Sequence, residues 1–171
     1  MDLSSILSNR FEIDLAKALE KLGQEAAYKA YKEKKFTNRT GNLLDSYGSA
    51  VYKGGRLLTS TIQFAGPETK TQKNVRHPEK GTTGREALEI YFKNHRYGEK
   101  NDEFVVVVVA AMWYADYVQK KGYRVIKGVA YQYLAENMEK RLRPIFKRYG
   151  VPEYILSRAI GIGQHRYKKN K

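Results

Sequence analysis

Apolar residues at Phe11, Leu15, Leu19, Leu22, Ala26 and Ala30 recur at spacings of four, four, three, four and four. That rhythm draws one stripe down a single helical face and predicts a helix from about Leu3 to Lys35. The other face carries Lys17, Glu20, Lys21, Glu25 and Lys29, with Glu25 and Lys29 in the order that favours an i,i+4 ion pair. At about 1.5 Å per residue, such a helix spans about 45 Å, longer than a small domain is wide, so part of it is expected to project toward a neighbour.

The period then changes. Thr40 is placed to cap a new short helix, Gly41 lets the backbone turn after the long one, and Leu43, Leu44 and Tyr47 share an apolar face. Ser49 to Lys53 reads as a strand, Gly54-Gly55 as a hairpin turn, and Leu57 to Ala65 as the returning strand, ended by Gly66-Pro67. Residues 67–102 are the least core-like part of the chain, with one short helix expected from Arg85 to His95 because Leu88, Tyr91 and Phe92 share a face.

Phe104 to Met112, with five consecutive valines, is the clearest strand. It does not alternate, so both faces should be covered, one by the long helix and the other by a second layer or a neighbouring subunit. Trp113 to Gln119 reads as a short helix or turn closed by Lys121-Gly122. Ala130, Leu134, Met138 and Leu142 predict a second long helix from Gly128 to Arg143, which Pro144 should kink or end. Pro152 opens a last short helix to Ile160, and 161–171 reads as a mobile basic tail.

The pattern therefore defines an α+β fold: a long N-terminal helix packed on a small antiparallel sheet, with a second long helix and a short C-terminal helix. We expect one domain over 1–150, with a loop insertion at 67–102, and a C-terminal extension over 151–171. The length of 171 residues suits a single domain with a real core, and the balance of 42% hydrophobic and 29% charged residues suits a soluble globular protein. No window has the apolar run of a membrane span or a leader peptide, so neither a membrane partner nor export is expected. The chain has no cysteine, which excludes disulfides and thiolate zinc sites.

Charge changes the picture more than composition does. Beyond position 119 there are fourteen Lys and Arg against three Glu, so eleven of the fourteen net positive charges lie in the last 52 residues. That asymmetry points to an acidic partner, either nucleic acid or an acidic protein surface, and its bland counterpart is a solvated basic face. Lys120, Lys121, Arg124, Lys127, Arg141, Arg143, Lys147, Arg148, Arg166, Lys168 and Lys169 are the candidate contacts. Basic residues interleaved with aromatics, as in Tyr123-Arg124 and 165–169, suit phosphate contacts with stacking, although fourteen tyrosines serve protein interfaces equally well.

Catalytic chemistry has little to stand on. His77, His95 and His165 are far apart, Glu86 and Glu89 read as solvated helix charges, and Gly161-Ile162-Gly163 lacks the rest of a phosphate-binding pattern. We expect no enzyme, no cofactor, no metal and no catalytic residue; a small hydrolase or nuclease is only a formal alternative.

Two stretches carry a resemblance to a known group. Residues 36–46, Phe-Thr-Asn-Arg-Thr-Gly-Asn-Leu-Leu-Asp-Ser, are similar to the T-G-N-L-(R)-x-S signature of phage head–tail connector, head–tail joining or tail-completion proteins of siphovirus-type phages. Residues 114–122, Tyr-Ala-Asp-Tyr-Val-Gln-Lys-Lys-Gly, resemble that group's Y-A-x-x-V-E-x-G signature, with Gln119 in place of the usual glutamate and Gly122 one residue later. The motif positions are Thr40, Gly41, Asn42, Leu43, Ser46, Tyr114, Ala115, Val118 and Gly122. The resemblance implies a structural subunit of a homo-oligomeric ring in the virion neck, made in the bacterial host cytoplasm. Its partners would be itself, the portal or adjacent connector and tail proteins, and DNA in the channel. The alternative is a nucleic-acid-binding protein using the basic C-terminal third.

Overall fold

The computed structural model describes residues 3–34, 42–62, 83–98, 100–123, 125–126, 128–152 and 154–156. The elements run α1 (Leu3–Lys32), α2 (Asn42–Asp45), β1 (Tyr47–Lys53), β2 (Arg56–Ile62), α3 (Gly84–Asn94), β3 (Phe104–Ala110), α4 (Ala115–Lys120) and α5 (Val129–Arg148). A helical turn follows at 154–156. The chain is α+β: a long N-terminal helix lies on a three-stranded antiparallel sheet, with a second long helix and a short C-terminal one.

The sheet order is β2-β1-β3, so β1 is central. Gly54 and Gly55, at φ +54° and +77°, close the β1–β2 hairpin in the left-handed conformation that a tight two-residue loop requires. The two faces of the sheet are covered by different layers. On one, Tyr47 and Val51 of β1 and Val106 and Val108 of β3 join Leu15, Leu19, Leu22, Ala26 and Ala30 of α1. On the other, Ala50, Tyr52, Val107 and Val109 pack with Leu88 and Phe92 of α3. The valine strand meets α1 on one face, and Val107 and Val109 border the α3 layer on the other, but all seven of its residues stay half-buried, so the full cover expected for it is only partly present.

α1 carries the stripe predicted for it, and it comes unusually close to the sheet at one point. A Cβ on Gly23 would stand 2.9 Å from both Ser49 Cβ and Val106 Cγ2, so only glycine lets the helix axis sit this low. Flanking polar groups tie the same face to the sheet: Thr59 Oγ1 donates to Glu20 at 2.7 Å and Gln24 Nε2 donates to Thr61 at 3.0 Å. Packing is described from Phe11 to Tyr31, while Asn9 and Arg10 are exposed.

α5 lies antiparallel to α1 on the side away from the sheet. Leu134, Met138, Leu142 and Phe146 form its buried stripe, and Phe11 meets Phe146 edge-on at 5.3 Å. Pro144 does not end this helix, contrary to one outcome the sequence allowed: α5 runs on to Arg148 with Pro144 inside. Pro144 and Lys140 are both exposed, so water can satisfy the carbonyl that loses its amide partner, while Leu142 and Phe146 keep their packing on either side.

One local expectation is corrected. Glu25 does not pair with Lys29. It accepts from Tyr133 at 2.7 Å and from Arg141 at 2.8 Å, both on α5, and Lys29 pairs instead with Glu33 at 3.8 Å. Two donors from a neighbouring helix offer Glu25 more hydrogen bonds than one exposed lysine on its own helix. The short helix expected within 67–102 is present as α3, and its Leu88 and Phe92 are almost fully buried. The strand residues 63–65, the loop to Thr82 and the helix and tail beyond 156 lie outside the described residues.

Two outcomes follow. Gly23→Leu should destabilise the fold by about 1–3 kcal/mol, because overpacking at the crossing outweighs the roughly 1 kcal/mol gain in helix propensity; urea denaturation measures it. Burial raises the Tyr47 hydroxyl well above its usual pKa, and burial followed by the nearby Tyr97 pushes Tyr52 up to about 12. In the unfolded chain these tyrosines ionise near pH 10, so above that pH the unfolded state binds fewer protons than the native one and stability falls. The melting temperature should drop progressively between about pH 10 and 12, and the tyrosinate absorbance should rise together with unfolding.

Candidate functional site at the convergence of the two motifs

Residues 42–46 and 112–118 are about seventy positions apart in sequence, yet their inward side chains meet in one core. Leu43, Leu44, Tyr47, Met112, Ala115 and Val125 share the larger core cluster. α2 is a single buried turn: Ser46 N–H donates to the Asn42 carbonyl at 3.1 Å, and Ser46 Oγ donates to the Leu43 carbonyl at 2.8 Å. The Ser46 carbonyl then accepts from Ala111 N–H at 3.0 Å, which holds the end of β3 against the start of β1. Tyr47, fully buried, donates its hydroxyl to the Val125 carbonyl at 3.0 Å.

The second motif is built around the same point. α4 begins after Tyr114, with Ala115 buried and Val118 half-buried, and Gly122 at φ +87° takes the chain out of the helix. Gln119 Oε1 accepts from Val125 N–H at 3.2 Å and from Ile126 N–H at 3.3 Å, so its side chain clamps the loop that Tyr47 grips from the other side. Both bonds need only an acceptor oxygen at this position. A glutamate would supply one equally well, which gives a physical reason why Gln119 can replace the acid of the motif it resembles.

Of the motif positions, Leu43 and Ala115 belong to the core cluster, Tyr114 and Val118 pack against it, Asn42 and Ser46 are buried, and Gly122 is exposed, while Thr40 and Gly41 lie outside the described residues. Sequence reasoning did not find the Tyr47–Val125 and Gln119 clamps, which have no periodic signal. It also began the third helix at Arg85 and gave it no cap. Thr83 opens α3 with a capping box, its hydroxyl accepting from Glu86 N–H while the Glu86 carboxylate accepts from Thr83 N–H. The Thr-x-x-Glu spacing could have shown this. α3 then docks on α2 so closely that a Cβ on Gly84 would lie 2.0 Å from the Asn42 carbonyl oxygen.

The basic candidates divide into two groups. Arg141 reaches Glu25 and Arg148 reaches Asp14 at 3.1 Å, so both pin α5 to α1. Arg143 pairs with Glu139, and Lys120 pairs with Asp116, each within its own helix. All four are exposed, and pairs of this kind contribute little to stability, so they remain accessible to an acidic surface. Lys147 is exposed, and Lys121 lies over the Tyr117 ring at 5.5 Å. Arg124, Lys127, Arg166, Lys168 and Lys169 lie outside the described residues. Around α4, three large aromatics face solvent: Trp113 is 51% exposed, Tyr117 63% and Tyr123 45%. Sequence reasoning named Tyr123 beside Arg124 but not this wider aromatic face.

Acid–base candidates are used structurally. Glu86 caps α3 and Glu89 pairs with Arg85 at 3.5 Å. His95 Nδ1 lies 2.8 Å from the Tyr91 carbonyl, and its ring stacks on Tyr91. Among the described residues no three metal-ligating side chains gather, and no helix is long and apolar enough to cross a membrane. Compared with family models, curated proteins and solved structures, the chain matches none.

The clamp has a direct test. Tyr47→Phe leaves the buried Val125 carbonyl without its donor and should cost about 1–3 kcal/mol. Gln119→Leu should cost a similar amount, whereas Gln119→Glu keeps the acceptor and should leave the urea midpoint near that of the parent at neutral pH.

Proposed function

We propose that this chain is a structural, non-enzymatic subunit of an oligomeric ring in a phage neck, joining portal and head to tail around the DNA channel. The observation that carries the reading is the convergence of the two signature-like motifs. Each is short, but they occur in the expected order, after a long helix and after an apolar strand. Leu43 and Ala115 share one core cluster, and the Ser46–Ala111 and Tyr47–Val125 bonds tie together the segments at the edges of the two motifs. A corner that locks the long helix, the valine strand and the α4 loop into one rigid unit suits a subunit that must transmit force between neighbours. The exposed Trp113, Tyr117 and Tyr123 with Lys120 and Lys121 suit an acidic partner surface beside that corner.

A second reading, nucleic-acid binding through the basic C-terminal third, is favoured by the charge asymmetry and the same aromatic face. One pair of measurements separates them. Coexpression with phage portal and tail proteins should yield a stable complex and ring-sized particles by mass measurement, and antibody labelling should place the chain at the virion neck. Trp113 is the only tryptophan, so its fluorescence reports on nucleic acid directly. Strong quenching by oligonucleotide that falls steeply with salt, with no portal complex, would overturn the neck assignment in favour of the second reading.

A further inference from the structure

The sheet has two unpaired edges among the described residues, the outer sides of β2 and β3. Edge strands offer a row of free amides and carbonyls, and proteins ordinarily defend them with charge, proline, bulges or brevity. β3 has none of these defences. Its seven residues, Phe104 to Ala110, are uncharged and keep an unbroken register against β1 from Lys53↔Phe104 to Tyr47↔Ala110. β2 is also seven residues long, and its single irregularity lies at the hairpin end, leaving Thr59 to Ile62 in regular register. Beside that edge Leu57 and Leu58 are 39% and 48% exposed.

Charge distinguishes the same two edges. In a chain whose residues are 29% charged, the longest stretches without a charge are 104–115 and 57–67, and these contain β3 and most of β2. Copies that each carry +14 repel one another over most of their surface. The two sheet edges are where that repulsion is weakest and where backbone hydrogen bonds are on offer. Both outer strands run antiparallel to β1 and therefore parallel to each other.

We propose that β3 of one copy pairs with β2 of the next, head to tail, so that the sheet continues from subunit to subunit. The inference rests on the ring reading and supplies its interface. Head-to-tail contacts close into a ring when the rotation allows, and closure leaves no strand edge exposed. α1 and α3 already cover the faces of the sheet, so pairing at the edges needs no opening of the core. A two-fold β3–β3 contact would instead leave both β2 edges bare and stop at a dimer.

The absence of native cysteine makes the test clean. Ser60 and Val107 both lie opposite Ala50 and so stand in one row across the sheet. Ser60→Cys is combined in turn with Val105→Cys, Val107→Cys and Val109→Cys in the full chain, covering three registers. Each variant is checked against the parent melting temperature, so that loss of fold at one position leaves the others informative. At least one double variant should give a ladder of covalent multimers on mild oxidation, collapsed by reductant, while every single variant stays monomeric on the gel. Dimers from a single valine-to-cysteine variant would overturn the proposal in favour of two-fold pairing. Ring-sized particles without crosslinks in any double variant would overturn the interface but leave the neck assignment standing. A chain that stays monomeric at high concentration would overturn the pairing, whereas the assignment itself is tested separately, by the portal complex, the oligonucleotide titration and the labelling of the virion neck.

Discussion

The low seating of α1 on the sheet at Gly23 is the constraint on which the other layers depend. With no side chain there, the helix backbone reaches Ser49 and Val106 directly. The stripe from Leu15 to Ala30 then lies in reach of the sheet and of α5 at once. α5 follows because its Leu134, Met138, Leu142 and Phe146 join the same cluster, and it brings Tyr133, Arg141, Arg148 and Tyr149 to meet Asp14 and Glu25 of α1. Tyr133 and Tyr149 are each held above their usual pKa by burial first and by the neighbouring carboxylate second, so both stay neutral donors through the ordinary pH range.

At the corner between α2, the sheet and α4, a few hydrogen bonds tie together segments that the core alone would only stack. Ser46, Tyr47 and Gln119 join segments that share no local periodicity; the Tyr47 bond satisfies a buried carbonyl, and the Gln119 bonds satisfy two partly buried amides. Such a corner is rigid for a physical reason: moving α4 relative to β1 would break several buried bonds together. Rigidity at this point and unprotected strand edges at the sides of the sheet are compatible properties in a subunit whose neighbours complete it. The aromatic face around α4 adds a further surface of a kind enriched in binding hot spots.

Much of the fold was legible because its signals are local. The α1 and α5 stripes, the glycine pair of the hairpin, the valine strand and the helix around Leu88 and Phe92 each depend on periodicity or on a turn that a short window contains. The motif positions were legible only as a resemblance. Their shared location, and the clamps by Tyr47 and Gln119, were not, since a hydroxyl or an amide in sequence does not announce which carbonyl or N–H lies about 3 Å away.

The sequence by itself determined which residues face inward along each helix, where the chain turns, that the β3 strand needs cover on both faces, and how unevenly the charge is spread. Tertiary structure alone decided partners. Glu25 abandoned Lys29 for two donors on α5, Pro144 stayed inside a helix because its freed carbonyl faces water, and α3 became the second layer of the sheet. In each case the local preference is about 1 kcal/mol or a few, small enough for long-range packing and hydrogen bonding to override.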